Sequence, residues 1–349
     1  MKDHTTIAVD IAKSVFEIAV SVEPGRVRER QRLSRPQTIR WFANRPASTV
    51  VMEACGSAHH LGRLFESYGH RVVLLPPAQV RRYVLRNKTD RTDTTALLEA
   101  HRNEDIVAVP VKTIHQQSLS AMHRLRTAWK ETRTARLNAL RGVLREFGIV
   151  IAVGATKVLP AVAEAISKEE VPEALHALLI AATAEIRELE ERIGKAERGL
   201  EIQAEALPAY GRLLSVPGIG LLTATALMAS IGDPTRFRSG RRLAAFLGLV
   251  PREHSSGDRR FLGSISKRGD PYLRTLLTHG ARSVLLAAGR RKQNDRLRTW
   301  ALELTRRRGH NRATIALANK MTRIVWAVWC RNTPYITTPL TRAMDAAAQ

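Results

Sequence analysis

The opening part of the chain alternates apolar and polar positions with a period of two, interrupted by stretches of helical period. Residues 7–10 read as a strand, 15–22 as a second and 26–33 as a third, with Ile11-Ala12-Lys13-Ser14 as a tight connection. Residues 36–44 suggest a short helix that closes before Pro46. A strand over 49–53 comes next, then a helix over 58–68 stopped by Gly69. A strand over 71–75 follows, ended by Pro76-Pro77. Three early antiparallel strands and then strand–helix units predict an α/β module over residues 1–115.

Beyond that point the period becomes helical. Residues 119–147 form a helix dense in cations, including Arg124, Arg126, Lys130, Arg133, Arg136, Arg141 and Arg145. Such a face either lies against nucleic acid or is merely solvated. Leu175, Leu179, Ala182, Ile186, Leu189, Ile193, Ala196 and Leu200 recur at alternating spacings of four and three, which makes an a/d seam. The simplest partner for this seam is a second copy, giving a dimer, with the 119–147 helix as the intramolecular alternative. Residues 116–206 are thus expected to be a helical, coiled-coil segment and 207–349 a mainly α module.

Charge supports this division. The 349 residues carry 56 Lys and Arg against 32 Asp and Glu, a net charge of +24. An excess of that size points to a polyanionic partner, bound with release of counterions. Residues 161–205 reverse the sign, with eleven acids against five bases. Aromatic residues are only 5% of the chain, which argues against a surface built from rows of stacked bases. Cys55 and Cys330 lack zinc-ligand spacing and suit a reducing compartment. The N-terminus runs straight into a strand pattern, and the apolar stretch at 221–231 is too short to span a bilayer. The expectation is a cytoplasmic protein with no membrane partner.

In this basic chain four carboxylates stand at unusual places. Asp10 and Glu53 end apolar strands, while Asp90 and Asp93 open a helix and share one of its faces. An unpaired charge at the end of a buried strand is costly. Each acid taken alone reads as a cap or turn residue, and Asp90 as the N-cap of its helix. Together, in a strand order of ribonuclease-H-like type, they suit two hard divalent cations working on phosphate.

The last module holds two phosphate-seeking motifs. Leu214-Ser215-Val216-Pro217-Gly218-Ile219-Gly220 resembles the hairpin of a helix-hairpin-helix element. There Gly218 and Gly220 would let backbone N–H groups approach a DNA phosphate, though a tight turn between helices reads the same way. Residues 248–274 form a Gly/Ser-rich loop carrying Arg259, Arg260, Lys267, Arg268 and Arg274. A serine in such a loop needs activation before it can act as a nucleophile.

Five segments, taken in order, carry a resemblance. They are Val9-Asp10-Ile11-Ala12-Lys13, Met52-Glu53-Ala54-Cys55-Gly56, Asn87-Lys88-Thr89-Asp90-Arg91-Thr92-Asp93, Val216-Pro217-Gly218-Ile219-Gly220, and Ser255-Ser256-Gly257 followed by Ile265-Ser266-Lys267-Arg268-Gly269. Over essentially its whole length the chain resembles the DEDD-type insertion-sequence transposases that act as bridge-RNA-guided serine recombinases. The resemblance implies an N-terminal RuvC-like domain in which Asp10, Glu53, Asp90 and Asp93 hold Mg2+, with Lys88 and Arg91 beside them on nucleic acid. It also implies a coiled coil and a C-terminal transposase domain. There the serine before the glycine, Ser256 or its neighbour Ser255, attacks a DNA phosphate. The implied partners are donor and target double-stranded DNA, a structured noncoding RNA and further copies of the chain, as dimer or tetramer. Two rivals remain on sequence alone: a metal-dependent nuclease that uses no serine, and a nonenzymatic nucleic-acid-binding protein.

Overall fold

The computed structural model describes residues 5–84, 89–290 and 295–337. The chain divides into two units, Met1–Gln117 and Ser118–Gln349. The first contains β1 (Thr6–Asp10), β2 (Val15–Ser21), β3 (Glu29–Ser34), α1 (Arg35–Ala43), β4 (Thr49–Glu53), α2 (Ala58–Ser67), β5 (Arg71–Leu75), α3 (Pro77–Val80) and α4 (Asp90–His101). Its mixed sheet has the order β3-β2-β1-β4-β5. β2 runs antiparallel to β1 and β3, whereas β1, β4 and β5 are parallel. β3 begins three residues later than its apolar pattern suggests. The reason is a tight turn in which the Arg26 N–H donates to the Glu23 carbonyl and Gly25 takes a positive φ.

Strand alternation sends the two sheet faces to different helices. Ile7, Val9, Phe16, Ile18, Val50 and Met52 pack with Phe42 of α1 and with Leu61 and Phe65 of α2. Ala8, Ala19, Val51 and Leu75 pack with Ala96, Leu97 and Leu98 of α4. The small side chains at positions 8 and 19 let α4 lie close over the centre of the sheet. That helix starts at a reciprocal cap: Thr89 Oγ1 accepts from the Thr92 N–H at 3.2 Å, and Thr92 Oγ1 accepts from the Thr89 N–H at 2.9 Å.

The second unit opens with α5 (Ile114–Glu146), which starts just before the unit boundary, followed by α6 (Val158–Ser167) and α7 (Glu173–Glu205). The seam on α7 is filled from within the chain, so it is not by itself a dimer interface. Leu179 and Ile186 pack against Leu137, Leu140 and Leu144 of α5. Charge sets the register of this antiparallel pair: Arg126 meets Glu197 at 2.7 Å, Arg133 meets Glu190 at 3.4 Å and Arg136 meets Glu185 at 2.9 Å. Three of the cations on α5 that suggest a nucleic-acid face therefore serve the acidic helix beside them. The sign reversal over 161–205 is the complement of that basic stripe.

The chain continues through α8 (Tyr210–Leu214), α9 (Leu221–Ile231), α10 (Gly240–Phe246), β6 (Pro251–Glu253), β7 (Leu262–Ile265), α11 (Pro271–Arg290), α12 (Arg296–Arg308) and α13 (His310–Arg331). Leu243, Leu273, Leu277, Leu317 and Met321 are fully buried in the core these helices share. Among the described residues no helix is long and apolar enough to cross a membrane. Gly269, at φ +79°, pins the β6–β7 segment to this core: a Cβ there would lie 2.0 Å from the Phe246 carbonyl oxygen. Gly269→Ala is expected to cost about 3 kcal/mol, from backbone strain and overpacking together. Urea unfolding measures this, and an unchanged midpoint would mean that the segment yields freely.

A buried polar bridge joins three helices of this unit. His123 of α5 is 5% exposed, with Nδ1 2.9 Å from the Tyr272 hydroxyl and Nε2 2.9 Å from Thr225 Oγ1. Thr225 donates its own proton to the Leu221 carbonyl at 2.7 Å. The network therefore assigns the proton to Nε2, leaving Nδ1 to accept from Tyr272. Burial, aided by the charge of Arg126, pushes the His123 pKa down to about 4. The unfolded histidine binds its proton at about 6.5. The stability contribution is thus full above that pH and is lost as pH falls toward 4. The advantage of the wild type over His123→Gln is expected to shrink by roughly 2–3 kcal/mol between pH 7 and 4.5. Urea midpoints at the two pH values test it; a constant difference would refute a neutral buried imidazole.

Candidate active site

In the first unit, pairing places Asp10 and Glu53 side by side. β1 and β4 run parallel in the register Val9↔Met52, and each acid is the next residue of its strand. Alternation gives both the parity of Ala8 and Val51, the residues that face α4. On α4, Asp90, Asp93 and Leu97 follow one another along one helix face, and Leu97 is buried in the cluster that faces the sheet. All four acids singled out in the sequence therefore lie on the α4 side of the sheet. Asp10, Glu53 and Asp93 are half-buried, and Asp90 is exposed.

Two further residues belong to this face. Glu17 of β2 is the direct cross-strand partner of Asp10 and has the same parity. Arg30 of β3 lies 4.0 Å from Glu17. Its guanidinium also donates to the Arg91 carbonyl at 3.3 Å, to Thr94 Oγ1 at 3.0 Å and to Thr95 Oγ1 at 2.9 Å. Arg30 thereby clamps the first turn of α4, and with it Asp90 and Asp93, onto the β2–β3 edge. Glu17, Arg30, Thr89, Asp90 and Arg91 line a cavity of about 390 Å³. The signal for Glu17 is a lone charge inside an apolar strand run. Arg30 gives none.

The negative charge at the strand ends is felt by a neighbour. Cys55 has its thiol pushed up, first by burial and then by the charges of Glu53 and Asp10. Among the described residues, no group of three or more His, Cys, Asp or Glu side chains is drawn together tightly enough to hold a metal. The donor chemistry nevertheless fits a hard divalent cation, because Asp10, Glu53, Asp90 and Asp93 offer carboxylate oxygen alone. Asp10 and Glu53 would hold it at the strand ends, and the first turn of α4 would add Asp93 and Asp90.

In the second unit, β6 and β7 form an exposed antiparallel hairpin. Between them Ser256 pairs with Arg259 across a two-residue turn in which Gly257 takes φ +55°. The backbone N–H groups of Ser256 and Arg259 exchange hydrogen bonds with each other's carbonyls at 3.3 and 3.2 Å. Ser255 is engaged differently: its hydroxyl donates to Glu253 Oε1 at 2.8 Å and its Oγ accepts from the Phe261 N–H at 3.3 Å. That bond, with Arg260 nearby, holds the Glu253 carboxyl below its usual range. Among the described residues, no side-chain hydrogen bond involves Ser256 Oγ, which stands one residue before the turn.

The expected cations are not equivalent. Arg259, Arg260, Lys267 and Arg268 are exposed around the hairpin, with Arg260 Nε 3.2 Å from Glu253. Arg274 instead braces the segment, donating to the carbonyls of Leu247 at 3.3 Å and Arg268 at 3.1 Å. Arg91 is exposed beside the carboxylate face, and Lys88 lies outside the described residues. Of the two turn glycines, Gly220 is exposed at the start of α9. Gly218 faces inward: a Cβ on it would lie 2.7 Å from the Gly280 carbonyl oxygen of α11. Its φ of +82° and this close helix contact explain the glycine without any phosphate.

Comparison with known proteins covers both units. A family model described as a transposase, that of the IS110 DEDD type, matches residues 7–149. A second, described as the transposase IS116/IS110/IS902 family, matches residues 210–297. A probable family 20 transposase of Pseudomonas aeruginosa is 41% identical over 332 residues, 94% of this chain and 98% of its own length. A transposase for insertion sequence element IS1111A, from Coxiella burnetii, is 40% identical over 337 residues, 96% of this chain and 92% of its own. A pilin gene-inverting protein of Moraxella bovis is 32% identical over 126 residues, 35% of this chain and 37% of its own.

Proposed function

This chain belongs to the IS116/IS110/IS902 family of transposases, and we propose that it cuts and rejoins DNA through a covalent serine intermediate. In this reading Ser256 Oγ attacks a DNA phosphorus. One P–O bond forms as the P–O bond to the leaving deoxyribose oxygen breaks. The serine hydroxyl gives up its proton and the leaving oxygen takes one, so the phosphodiester is conserved and rejoining needs no outside energy source. The observation that carries this reading is the hairpin: it holds Ser256 at a turn, flanked by Arg259 and Arg260, while Ser255 is tied to Glu253. Arg259, Arg260, Lys267 and Arg268 would neutralise the crowded anionic phosphate.

The first unit, in this reading a RuvC-like domain of the ribonuclease-H-like fold, would hold Mg2+ through Asp10, Glu53, Asp90 and Asp93. A divalent cation bound there supplies charge neutralisation at phosphate oxygens. Arg30 keeps α4 seated over those acids, and Arg91 offers a phosphate contact beside them. The target would be chosen by pairing with a structured RNA encoded by the element, which is why the protein itself need carry no sequence reading. The net charge of +24 suits both nucleic acids.

Full-length protein, expressed with the noncoding DNA that flanks its gene, is mixed with Mg2+ and end-labelled element-junction DNA and run on a denaturing gel. A slow band that proteinase removes is the expected adduct. Cleaved DNA with no adduct, lost in Asp10→Ala but kept in both serine variants, would replace this reading with a metal-dependent nuclease.

A further inference from the structure

One face of α13 is left over when the helix core is accounted for. Ala313, Leu317, Met321 and Val325 are buried in the core. Arg312, Ile315, Ala316, Asn319, Lys320 and Arg323 follow the spacing of a single helix stripe on another side. That stripe lines a cavity of about 1220 Å³ together with Pro251, with β7 residues including Leu262 and Ile265, and with Trp300 of α12. The catalytic reading uses none of these residues.

The composition of the cavity selects its ligand. Its lining includes three cations and no acid. Lys320 Nζ is held 3.9 Å over the Trp300 ring. Burial, together with the charges of Arg296 and Arg323, holds the Lys320 ammonium below its ordinary range. Cations crowded against one another in this way are best relieved by a phosphate. The same lining has an apolar part, made by the buried Leu249 and the half-buried Ile265, Ile315 and Ala316. Asn319 is already committed, donating to the Leu249 carbonyl at 3.1 Å, whereas Asn311 is exposed. A lining that is part apolar and part cationic fits a nucleotide taken out of a stack, with its base on the apolar side chains and its phosphate on the cations. A base-paired duplex keeps its base faces stacked and cannot lay one on such a surface.

We propose that this cavity holds an unpaired nucleotide of the DNA strand cut at the serine hairpin, with Arg312, Lys320 and Arg323 on its phosphates and its base against Ile265 and Ile315. DNA is favoured as the occupant because the wall of the cavity is the hairpin itself. Pro251 lines it, and the same strand reaches Ser255 and Ser256 within five residues. The inference rests on the hairpin being the place where DNA is cut. Its consequence is that the nucleotide next to the attacked phosphate is unstacked before or during strand exchange.

The test uses the full-length protein and DNA oligonucleotides in which 4-thiothymidine is placed at successive positions, either in a short unpaired bubble or in continuous duplex. Irradiation is expected to attach the unpaired thiothymidine to peptides carrying residues 262–265, 296–308 or 310–331, and the duplex one far less. In fluorescence anisotropy, Lys320→Glu with Arg323→Glu should bind bubble DNA at least tenfold more weakly. Lys320→Gln with Arg323→Gln removes the same charges without adding repulsion. It should lower the slope of log affinity against log salt by about 1.4, at roughly 0.7 for each single-strand phosphate no longer neutralised. Attachment only to other peptides, equal attachment from duplex, or attachment from RNA bubbles and not DNA would overturn the proposal. So would parental affinity in both double variants. Absence of the serine adduct with attachment retained would fault the catalytic reading and leave the cavity a site for an unpaired nucleotide that is not tied to cutting at the hairpin; an intact adduct with no attachment would overturn this proposal and leave the catalytic reading standing.

Discussion

Ser256→Ala is expected to abolish the protein–DNA adduct and to lower strand rejoining by about six orders of magnitude, the scale on which removal of an enzymic nucleophile is felt. Ser255→Ala is expected to cost about tenfold and to keep the adduct. The asymmetry follows from the hairpin. Ser255 Oγ already bridges Glu253 and the Phe261 N–H, so its loss loosens the loop that presents its neighbour. Attack by Ser255 would instead run through the existing bond, with Glu253 taking the hydroxyl proton, and would cost Ser255 Oγ the bond it accepts from the Phe261 N–H. Trapping on labelled junction DNA, with each variant's fold checked by its thermal unfolding, separates the two. An adduct that survives Ser256→Ala and disappears in Ser255→Ala would transfer the nucleophile to Ser255 and make Glu253 its base.

The acids are legible in the sequence because two of them sit where a carboxylate is least expected, at the ends of the apolar runs before Asp10 and Glu53. Strand alternation then fixes the face they share. Glu17 is harder to see, because its meaning depends on the hairpin register Asp10↔Glu17. A slip of one residue would turn it to the other face. Arg30 is hidden entirely, since an arginine among Arg26, Arg28 and Arg32 looks like solvated charge until tertiary contact brings α4 over it. The α7 seam shows the same limit in another form: heptad spacing announces that a helix has a partner and is silent on whether the partner is α5 or a second chain. At Gly218 the residue type suggests access for phosphate, whereas the demand comes from Gly280 on a neighbouring helix. In each case local pattern predicts the element, and what it faces is decided by residues distant in sequence.

Asp10→Asn and Glu53→Gln are each expected to lower DNA cleavage by about three orders of magnitude, the several kcal/mol that a phosphate-bound cation contributes. Neither should unfold the protein. Each substitution keeps the shape of its side chain, so the change in melting temperature without Mg2+ is expected to be small. The difference opens when the cation is added. Mg2+ at a hundred times its dissociation constant stabilises the folded wild type by about 2.7 kcal/mol, an increment the two variants should lack. Glu17→Gln, which keeps the four predicted ligands, should retain most of it. Thermal unfolding with and without Mg2+, beside cleavage rates for the same proteins, reads both halves. Equal Mg2+ shifts in wild type, Asp10→Asn and Glu53→Gln would sink the proposed metal site even if cleavage were lost, for the acids would then be acting on DNA or on the fold. A shift abolished by Glu17→Gln as well would instead enlarge the site to five carboxylates, with Arg30 as a counter-charge on the same face.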